Sequence, residues 1–388
     1  MSVIRSLGRS GLYVIAADSE QLSPGLYSRF AKERLRYPPP RTAPGEVVDT
    51  LLRAAEERHV DLLIPVTDEI VLPLSEARER FEGVCTLAIP DRDALAAAAD
   101  KMATLELARS LGVPTPRTAL VATTGKARAE GPQLGWPVVL KPQTSRLYRS
   151  GGVEAFGVRY ATSADGLEAE MRHLEGRCSV LLQEYVRGEG HGVELLLHEG
   201  RPLAAFQHRR LREVPLTGGA SSFRESVALD PTLYDYSVRM LAGLGWTGLA
   251  MVEFKLAEDG ARLMEVNGRI WGSLPLAVKS GMDFPARLAE LYLSGPPPAA
   301  AGPDTSYAAG VRSRNLELEV TWILSVLLRR RRYPFLDGPR RRDALTAALR
   351  LLSPADGFDI LSLGDPRPGL AEIAKIARKL GRKLGDGG

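Results

Sequence analysis

Short apolar runs alternate with an amphipathic segment in the first ninety residues. Residues 12–17 form an apolar run that ends at Asp18, and residues 61–66 form a second run. Between them, residues 46–58 repeat apolar side chains at helical spacing. Strand–helix–strand alternation predicts a parallel sheet flanked by helices. No G-x-G-x-x-G follows these strands, so the pattern does not support dinucleotide binding.

A helix followed by short strands is predicted from residue 91 onward. Residues 91–111 are rich in Ala and Leu, begin at Asp91 as a helix N-cap and end at Gly112, with two prolines just beyond. The polar segment 143–157 carries Gly151-Gly152 and predicts a mobile loop. Strands are predicted at residues 117–121, 136–141, 156–160 and 180–186.

The second half of the chain alternates in the same way and then changes composition. Pro296-Pro297-Pro298 and the Ala/Gly-rich stretch after them predict a domain boundary. The predicted elements are a hairpin over 192–208 that turns at Glu199-Gly200, a helix over 232–244, strands over 247–256 and 261–267, and helices over 317–332 and 369–384.

Residues 250–269 form the most informative segment, because they predict a hairpin with a defined register. A three-residue turn at Glu258-Asp259-Gly260, with Gly260 in the left-handed conformation, fixes which residues face each other. On one face this register forms apolar pairs, Val252 with Val266 and Phe254 with Met264.

The other face of this hairpin brings two carboxylates together. Glu253 lies opposite Glu265, and Asn267 shares their face. Opposed like charges repel, and two carboxylates with an amide oxygen favour Mg²⁺ or Mn²⁺ over zinc. A register one residue different would instead leave two solvated glutamates on an exposed face. The spacing alone is compatible with both interpretations.

Two lysines are candidates for phosphate contacts. Lys141 ends the apolar strand WPVVLKP and leads into the glycine-bearing loop, and Lys101 lies earlier, at a helix. The chain has no GxxxxGK[ST], so this is not a P-loop. Taken alone, each lysine is more often a surface charge than a ligand.

Composition narrows the class of protein. The chain has 388 residues, 44% hydrophobic and 25% charged, with a net charge of +4. These values exclude a mainly disordered chain, and only two cysteines, Cys85 and Cys178, exclude a disulfide scaffold. No apolar run approaches the ~20 residues that span a bilayer. The N-terminus lacks the apolar stretch of a signal peptide, so we expect a cytoplasmic protein.

In their order and spacing, these segments resemble the ATP-grasp ligases over about residues 5 to 295. They are similar in particular to predicted carboligases related to carbamoyl phosphate synthetase and biotin carboxylase. The matching segments are DK (100–101) before the LGVPTP helix stop, VVLKP (138–142), the Gly-Gly loop, LLQEYVRGEG (181–190), FQHRRLRE (206–213), GGASSFRES (218–226) and MVEFK…LMEVNGRIWGS (251–273).

The resemblance implies a role for each matched position. Arg269 would bind the reacting carboxyl group or phosphate, and Arg210 would face the phosphates; with Lys141 they are the catalytic candidates. The implied ATP contacts are Lys101 and Lys141 for the triphosphate, the backbone of Glu184, Tyr185 and Val186 for adenine, and Glu189 for the ribose. The implied ligands of Mg²⁺ (or Mn²⁺) are Glu253, Glu265 and Asn267.

The resemblance also implies an α/β and α+β chain with the ATP-grasp fold, in three domains. A truncated Rossmann-like pre-ATP-grasp domain would span residues 1–90. The ATP-grasp domain would span 91–300, with a lid subdomain at about 117–188. A basic helical extension would span 301–388. Relatives open with a β-strand and a glycine turn, whereas this sequence opens at what resembles the helix after them.

The implied activity is ATP- and Mg-dependent formation of an amide or peptide-type bond. A carboxylate attacks the γ-phosphate of ATP to give an acylphosphate and ADP, and an amine then displaces phosphate. Phosphoryl transfer needs mainly positioning and charge neutralisation, which lysines, an arginine and a cation supply. The alternative is a catalytically silent ATP-binding regulatory protein of the same fold. The complete set of lysines and metal ligands argues against it.

The basic charge of the chain is concentrated at its C-terminal end. Residues 301–388 contain 16 Lys/Arg and 10 Asp/Glu. We expect residues 320–328 to pack on the rest of the protein, as we do for one face of the last helix (Leu370, Ile373, Ile376, Ala377 and Leu380). Peripheral membrane contact is the alternative that is not favoured.

Small-molecule carboxylate and amine substrates are expected. Nucleic acid is not, because aromatics are not interleaved with the basic residues. An oligomer is compatible with the sequence.

Overall fold

The computed structural model describes residues 1–143, 146–149, 152–155, 157–300, 302–328, 333–336, 338–353 and 355–385. They divide into two compact units. We refer to Pro90–Gln207 with Leu229–Ile270 as the central unit, and to Met1–Ile89 with His208–Ala228 and Trp271–Gly388 as the terminal unit.

Helices and strands alternate in the first ninety residues, as the hydrophobic pattern predicts. The elements are α1 (Ser2–Arg9), β1 (Val14–Asp18), β2 (Ala31–Arg36), α2 (Pro44–Glu57), β3 (Leu62–Leu63), α3 (Asp68–Glu76) and β4 (Thr86–Leu87). β1 pairs with β2 and β3 pairs with β4, both in parallel. β3 is shorter than the predicted strand because Pro65 has no N–H to continue the ladder.

The predicted helix over residues 91–111 is two helices. The next elements are α4 (Arg92–Ala99), α5 (Lys101–Ser110), β5 (Thr118–Val121), α6 (Thr124–Leu134), β6 (Val138–Pro142), β7 (Arg146–Arg149), β8 (Gly152–Ala155), β9 (Arg159–Ala161), α7 (Ala164–Arg172) and β10 (Val180–Glu184). Asp100 is extended between α4 and α5, and its side chain accepts the N–H groups of Met102 and Ala103. Asp100 is therefore the N-cap of a new helix.

The segment 143–157 is not simply a loop. β7 and β8 pair antiparallel within it, with Arg146 opposite Ala155 and Arg149 opposite Gly152. Strands of four residues around a glycine turn are too short to show a clear alternation in the sequence. Gly151 and the proposed ordering of the segment by nucleotide lie outside what the structure describes.

A four-stranded antiparallel sheet, in the order β5–β10–β6–β9, forms part of the central unit. Side chains alternate between its two faces. On one face, Val138 and Leu140 pack with Val180 and Leu182 against the helices α6 and α7. Residues of the opposite parity, including Lys141, are therefore directed to the other face.

Longer strands complete the central unit and lead into the terminal unit. They belong to the series β11 (Glu189–His198), β12 (Arg201–Val214), β13 (Ala220–Ser226), α8 (Pro231–Gly243), β14 (Gly248–Ala257) and β15 (Gly260–Asn267). In the central unit the strand order is β15–β14–β11 and then the first part of β12. The predicted turn at Glu199-Gly200 is confirmed, and both residues have positive φ, 49° and 76°.

The register of β14 and β15 is confirmed at the carboxylates and wrong nearer the turn. Glu253 pairs with Glu265 and Val252 with Val266, but Phe254 pairs with Leu263 and not with Met264. The turn is one residue shorter than predicted, since Ala257 pairs with Gly260. A bulge at Met264 compensates for the difference. Two errors in the sequence-based register therefore cancel at the carboxylate pair.

The C-terminal residues belong to the terminal unit. The last elements are α9 (Leu274–Lys279), α10 (Phe284–Ser294), β16 (Arg312–Arg314), α11 (Leu316–Leu328), α12 (Arg341–Arg350), β17 (Gly357–Phe358) and α13 (Arg367–Gly385). β16 pairs with β13 on one side and with β17 on the other. The chain passes from one unit to the other near residues 90, 208, 229 and 271, and the division into three domains stays a prediction.

Only part of the predicted packing of the last helices is confirmed. Trp322, Ile323 and Val326 of α11 are buried, as expected. α13 is rotated relative to the prediction, because it buries Ile376 and Glu372 and exposes Leu370, Ile373 and Ala377. Within the described parts of the chain, no helix combines the length and apolar composition required to cross a bilayer.

Candidate active site

One pocket in the central unit brings together three of the predicted charged side chains: Lys101, Lys141 and Glu265. Its empty space is about 300 Å³, part of which is open to solvent. The other lining residues are mainly apolar: Ala98, Thr104, Leu105, Leu181, Gln183, Met264 and Val266. Met264 and Glu265 are neighbours yet both line the pocket, which the bulge at this point makes possible.

Burial and neighbouring charges both act on Lys141. It lies on β6, opposite Leu181 of β10. Burial lowers the pKa of Lys141, and the carboxylate of Glu265 opposes this shift. The charge of Lys101 lowers the pKa further, while that of Glu253 raises it. The two lysines and two glutamates are therefore close enough to interact, as the sequence predicts.

Asp100 connects the segments that carry the two lysines. Its carboxylate caps α5, whose first residue is Lys101, and also accepts a hydrogen bond from Gln143 Nε2 at 2.8 Å. The backbone N–H of Lys101 donates to the carbonyl of Gln143 at 3.2 Å. Gln143 follows Lys141 by two residues, so these bonds hold both lysines to one local framework.

Glu253, Glu265 and Asn267 converge as predicted. Asn267 Nδ2 donates to Glu253 Oε1 at 3.0 Å and to Glu265 Oε1 at 3.4 Å. Two carboxylates with an amide form an oxygen-rich donor set that suits Mg²⁺ or Mn²⁺. The amide nitrogen now bridges the two carboxylates, and a half-turn of the amide would present its oxygen in the same place. The residues therefore fit a hard cation.

No other metal site competes with this one in the described residues. Among them, no group of three or more His, Cys, Asp or Glu side chains is arranged to hold a metal ion.

Gln183 is a pocket residue that the sequence reasoning missed. Its side chain is 1% exposed, and its Nε2 donates to Thr118 Oγ1 at 3.0 Å. Its Oε1 is buried, and no hydrogen-bond donor reaches it among the described residues. A buried carbonyl without a donor is costly, so a ligand amino group would be well placed to satisfy it. In the sequence, Gln183 could have been recognised as a polar residue directly after the apolar residues Leu181 and Leu182.

The proposed adenine-binding stretch follows directly at the end of β10. The backbone N–H of Glu184 already donates to the carbonyl of Arg117 at 3.0 Å. Its carboxylate accepts from Arg117 Nε at 2.5 Å. These bonds leave the carbonyl of Glu184 and the backbone of Tyr185 and Val186 as the candidate contacts. The ring of Tyr185 packs edge-on against Tyr160, with centroids 6.2 Å apart.

Glu189 is the last member of a hydrogen-bonded chain that runs from Asp230 through Gln207 and His191. The N–H of Asp230 donates to Gln207 Oε1 at 2.8 Å, which turns Gln207 Nε2 toward His191 Nδ1 at 3.2 Å. His191 Nδ1 is thus an acceptor, so Nε2 carries the proton and donates to Glu189 Oε2 at 3.0 Å. The backbone N–H of Asp230 thereby fixes the tautomer of His191, and His191 orients the carboxylate of Glu189.

The two candidate arginines lie in different units. Arg269 is in the central unit, where its Nη1 donates to the carbonyl of Ile270 at 3.0 Å. Arg210 is in the terminal unit, where it donates to Glu213 Oε1 at 3.1 Å and to the carbonyl of Gly219 at 3.0 Å. Contact of either arginine with phosphate or carboxylate stays a prediction.

Some polar residues of the matched segments FQHRRLRE and GGASSFRES bind other residues of the protein itself. In the terminal unit, Arg212 Nη1 and Ser222 Oγ both donate to the fully buried carboxylate of Glu319, at 2.6 and 2.8 Å. His208 is 1% exposed, and burial lowers its pKa well below 6.5. An Arg or Ser in a polar motif does not reveal in sequence which distant acid will bind it.

Comparison with known proteins places this geometry in a structural class. Residues 177–315 match a family model described as ATP-grasp in the biosynthetic pathway with Ter operon. A biotin carboxylase–β,γ-ATP complex from Campylobacter jejuni superposes with a TM-score of 0.61 at 17% identity, over 77% of this chain and 69% of that one. The chain has the ATP-grasp fold. The fold expected from the ordered motifs is thus confirmed.

Two further ATP-grasp structures are similar over most of their length. An L-amino acid ligase from Bacillus licheniformis has a TM-score of 0.59 at 17% identity, over 75% of this chain and 70% of that one. The biotin carboxylase domain of the 2-oxoglutarate carboxylase from Hydrogenobacter thermophilus, in complex with MgADP and bicarbonate, has a TM-score of 0.61 at 19% identity, over 79% and 69%. At these identities the likeness establishes the fold.

Proposed function

We propose that the protein is an ATP- and Mg²⁺-dependent ligase that joins a carboxylate to an amine and releases ADP and phosphate. The observation that carries the proposal is the grouping of Lys101, Lys141, Glu253 and Glu265 in one part of the central unit. ATP-grasp neighbours include an L-amino acid ligase and a carboxylase domain in complex with MgADP. Their activities support the class of reaction.

The side chains of this site would divide the work of binding ATP. Lys101 and Lys141 would contact phosphate oxygens, and desolvation of Lys141 strengthens such a contact because the local dielectric is low. Gln183 Oε1 would accept the adenine amino group. Glu189, oriented by His191, would accept ribose hydroxyls. Mg²⁺ would be held by Glu253, Glu265 and Asn267, and when bound it supplies charge neutralisation to the triphosphate.

The proposed reaction has two steps. A carboxylate oxygen of the substrate attacks the γ-phosphorus, the bond to the bridging oxygen breaks, and ADP leaves with that electron pair. The amine nitrogen then attacks the acyl carbon, and phosphate leaves as the amide forms and the nitrogen loses a proton. Arg269 would orient the carboxylate. Both steps rely on positioned positive charge.

The first test is a phosphate-release screen of small carboxylates against amines, with mass spectrometry of the products. Lys141→Ala and Glu265→Gln are expected to lower product formation by about 10²–10³-fold, as removal of one charge-stabilising group commonly does. Lys126→Ala is the matched control, because Lys126 is exposed on α6. Near-normal turnover in both site variants would show that the site is assigned wrongly.

The second candidate is a catalytically silent ATP-binding regulator. The Gln183 carbonyl, which has no hydrogen-bond donor among the described residues, and the two lysines would favour nucleotide binding by a regulator as well as by a ligase. Calorimetric ATP binding that is lost in Lys141→Ala, without product from any acid–amine pair, would favour the regulator over the ligase.

A further inference from the structure

Helix α12 of the terminal unit turns its larger apolar side chains toward solvent. It packs against α11 through the small residues Ala344 and Ala347. Leu345, Leu349 and Leu352, at its opposite side and just past its end, are 58%, 73% and 85% exposed. We refer to these three residues as the leucine stripe. Burial of a leucine side chain removes more apolar area from water than burial of alanine. The orientation of α12, which buries the alanines and exposes the leucines, is therefore unfavourable in water alone.

Positive charge borders the leucine stripe on both sides. Leu345 and Leu349 are separated by four residues, so they lie one above the other on α12, and Leu352 follows just past its end. Arg341 and Arg342 precede Leu345 by four and three positions and therefore flank the stripe near its start. Both are exposed. α12 is thus an apolar ridge between cations.

Helix α13 repeats this arrangement in the same unit. Its inward face carries Glu372 and Ile376, while Leu370 and Ile373 are 65% and 47% exposed. Arg378 is exposed on the same helix, whereas Lys379 forms an ion pair with Glu317. Three exposed leucines within and just past one helix are more than the scattered single leucines found on most protein surfaces.

We propose that α12 and α13 bind the surface of an anionic lipid bilayer, with the leucine stripe at the boundary between headgroups and acyl chains and the arginines on lipid phosphates. An anionic bilayer combines an apolar interior with negatively charged headgroups. It therefore complements both the exposed leucines and the neighbouring arginines. A second copy of the chain is disfavoured, because residues 301–388 carry 16 basic and 10 acidic residues and would repel their equivalents. Leucine cannot stack on bases, which is a main contact in the binding of single-stranded nucleic acid.

The experiment is co-sedimentation of the full-length protein with vesicles of phosphatidylglycerol and phosphatidylcholine, or of phosphatidylcholine alone. We expect binding to the anionic vesicles only, and weaker binding at higher salt. Leu345→Gln/Leu349→Gln/Leu352→Gln is expected to reduce the apparent affinity by at least about tenfold at unchanged charge. Arg341→Gln/Arg342→Gln is expected to reduce it by about fivefold per arginine. Leu370→Gln/Ile373→Gln is expected to reduce it as well.

Leu293→Gln is the matched control, since Leu293 is an apolar residue of α10 that is 45% exposed outside the proposed surface. All variants are glutamine replacements of exposed residues, so unchanged thermal melting confirms that they fold. Absence of binding to anionic vesicles, or equal binding by wild type and the triple-leucine variant, overturns the proposal. So does a wild-type dimer in analytical ultracentrifugation that the triple-leucine variant abolishes, because the leucine stripe would then be a contact between copies.

Discussion

Lys141 is partly exposed and Glu372 is buried, and nearby carboxylates affect the two groups in opposite ways. Lys141 lies near two carboxylates, which favour its charged form against desolvation. Glu372, on α13, is 4% exposed and lies near other carboxylates. Burial, followed by the charges of Asp359 and Glu317, raises the pKa of Glu372 to about 7. The lysine can act as a cation for a ligand, whereas the glutamate is a site where pH changes stability.

The effect of Glu372 on stability has a definite sign. Its pKa is raised from 4.5 on folding, so the folded protein holds the proton more tightly than the unfolded chain. The free energy of unfolding therefore falls as pH rises from about 4.5 to about 7, and the full penalty of about 3 kcal/mol applies at higher pH.

Glu372→Gln is accordingly expected to raise the free energy of unfolding by about 1–3 kcal/mol at pH 8 and to change it little at pH 4.5. Urea unfolding at both pH values measures the difference. Glu82→Gln, a replacement of an exposed glutamate, should show no such pH dependence. An equal effect of Glu372→Gln at both pH values would contradict the assignment.

At the scale of single elements, close backbone approach explains one glycine near the candidate site. Gly188 separates β10 from β11, and a Cβ there would lie 2.5 Å from the carbonyl oxygen of Leu256. That oxygen belongs to the backbone of β14, so it cannot move aside as a flexible side chain would.

Gly188→Ala is expected to destabilise the protein by about 1–3 kcal/mol and to weaken ATP binding, because β10 and β11 carry the proposed adenine and ribose contacts. Gly125→Ala is the control. Gly125 lies in α6, where a Cβ would meet nothing within 4 Å, and alanine there should stabilise by about 0.5–1 kcal/mol. Thermal melting and calorimetry report both effects. If the Gly188→Ala variant has the melting temperature and ATP affinity of the wild type, the close approach of Leu256 does not require glycine at this position.

At the scale of the whole molecule, the last ninety residues are an integral part of the terminal unit. Glu319 of α11 is fully buried and binds Arg212 and Ser222, which lie more than ninety positions earlier. Arg212 also stacks on Phe223 and Trp322, with its guanidinium carbon 5.1 and 4.8 Å from the ring centroids. Truncation after Gly295 should therefore unfold the terminal unit and not simply remove an appendage.

Glu319→Gln tests this integration without truncation. Loss of a buried carboxylate leaves Arg212 with an uncompensated charge, and we expect the free energy of unfolding to fall by about 3–5 kcal/mol. Glu317→Gln, two residues away, removes an exposed pair with Lys379 and should cost less than about 1 kcal/mol. Comparable small losses in both variants would indicate that the extension is only loosely attached.

The sequence by itself determined the fold, most helices and strands, and the carboxylate pair. These follow from local information: apolar periodicity, helix-stop glycines, and a hairpin whose facing residues are few positions apart. Ordered motifs added the ATP-grasp recognition. The hairpin also shows a limit, because the predicted turn was one residue too long and only the bulge at Met264 restored the pairing of Glu253 with Glu265.

Tertiary structure alone decided which polar residues serve the candidate site and which serve the core. Arg212 and Ser222 stand in the same motif region as Arg210, but a distant glutamate binds them. Gln183 looks like part of an apolar strand until the pocket places its carbonyl without a donor among the described residues. Likewise α13 buries Glu372 and exposes Leu370. Periodicity identifies an apolar face, but the surface against which a helix packs is set by residues far away in the chain.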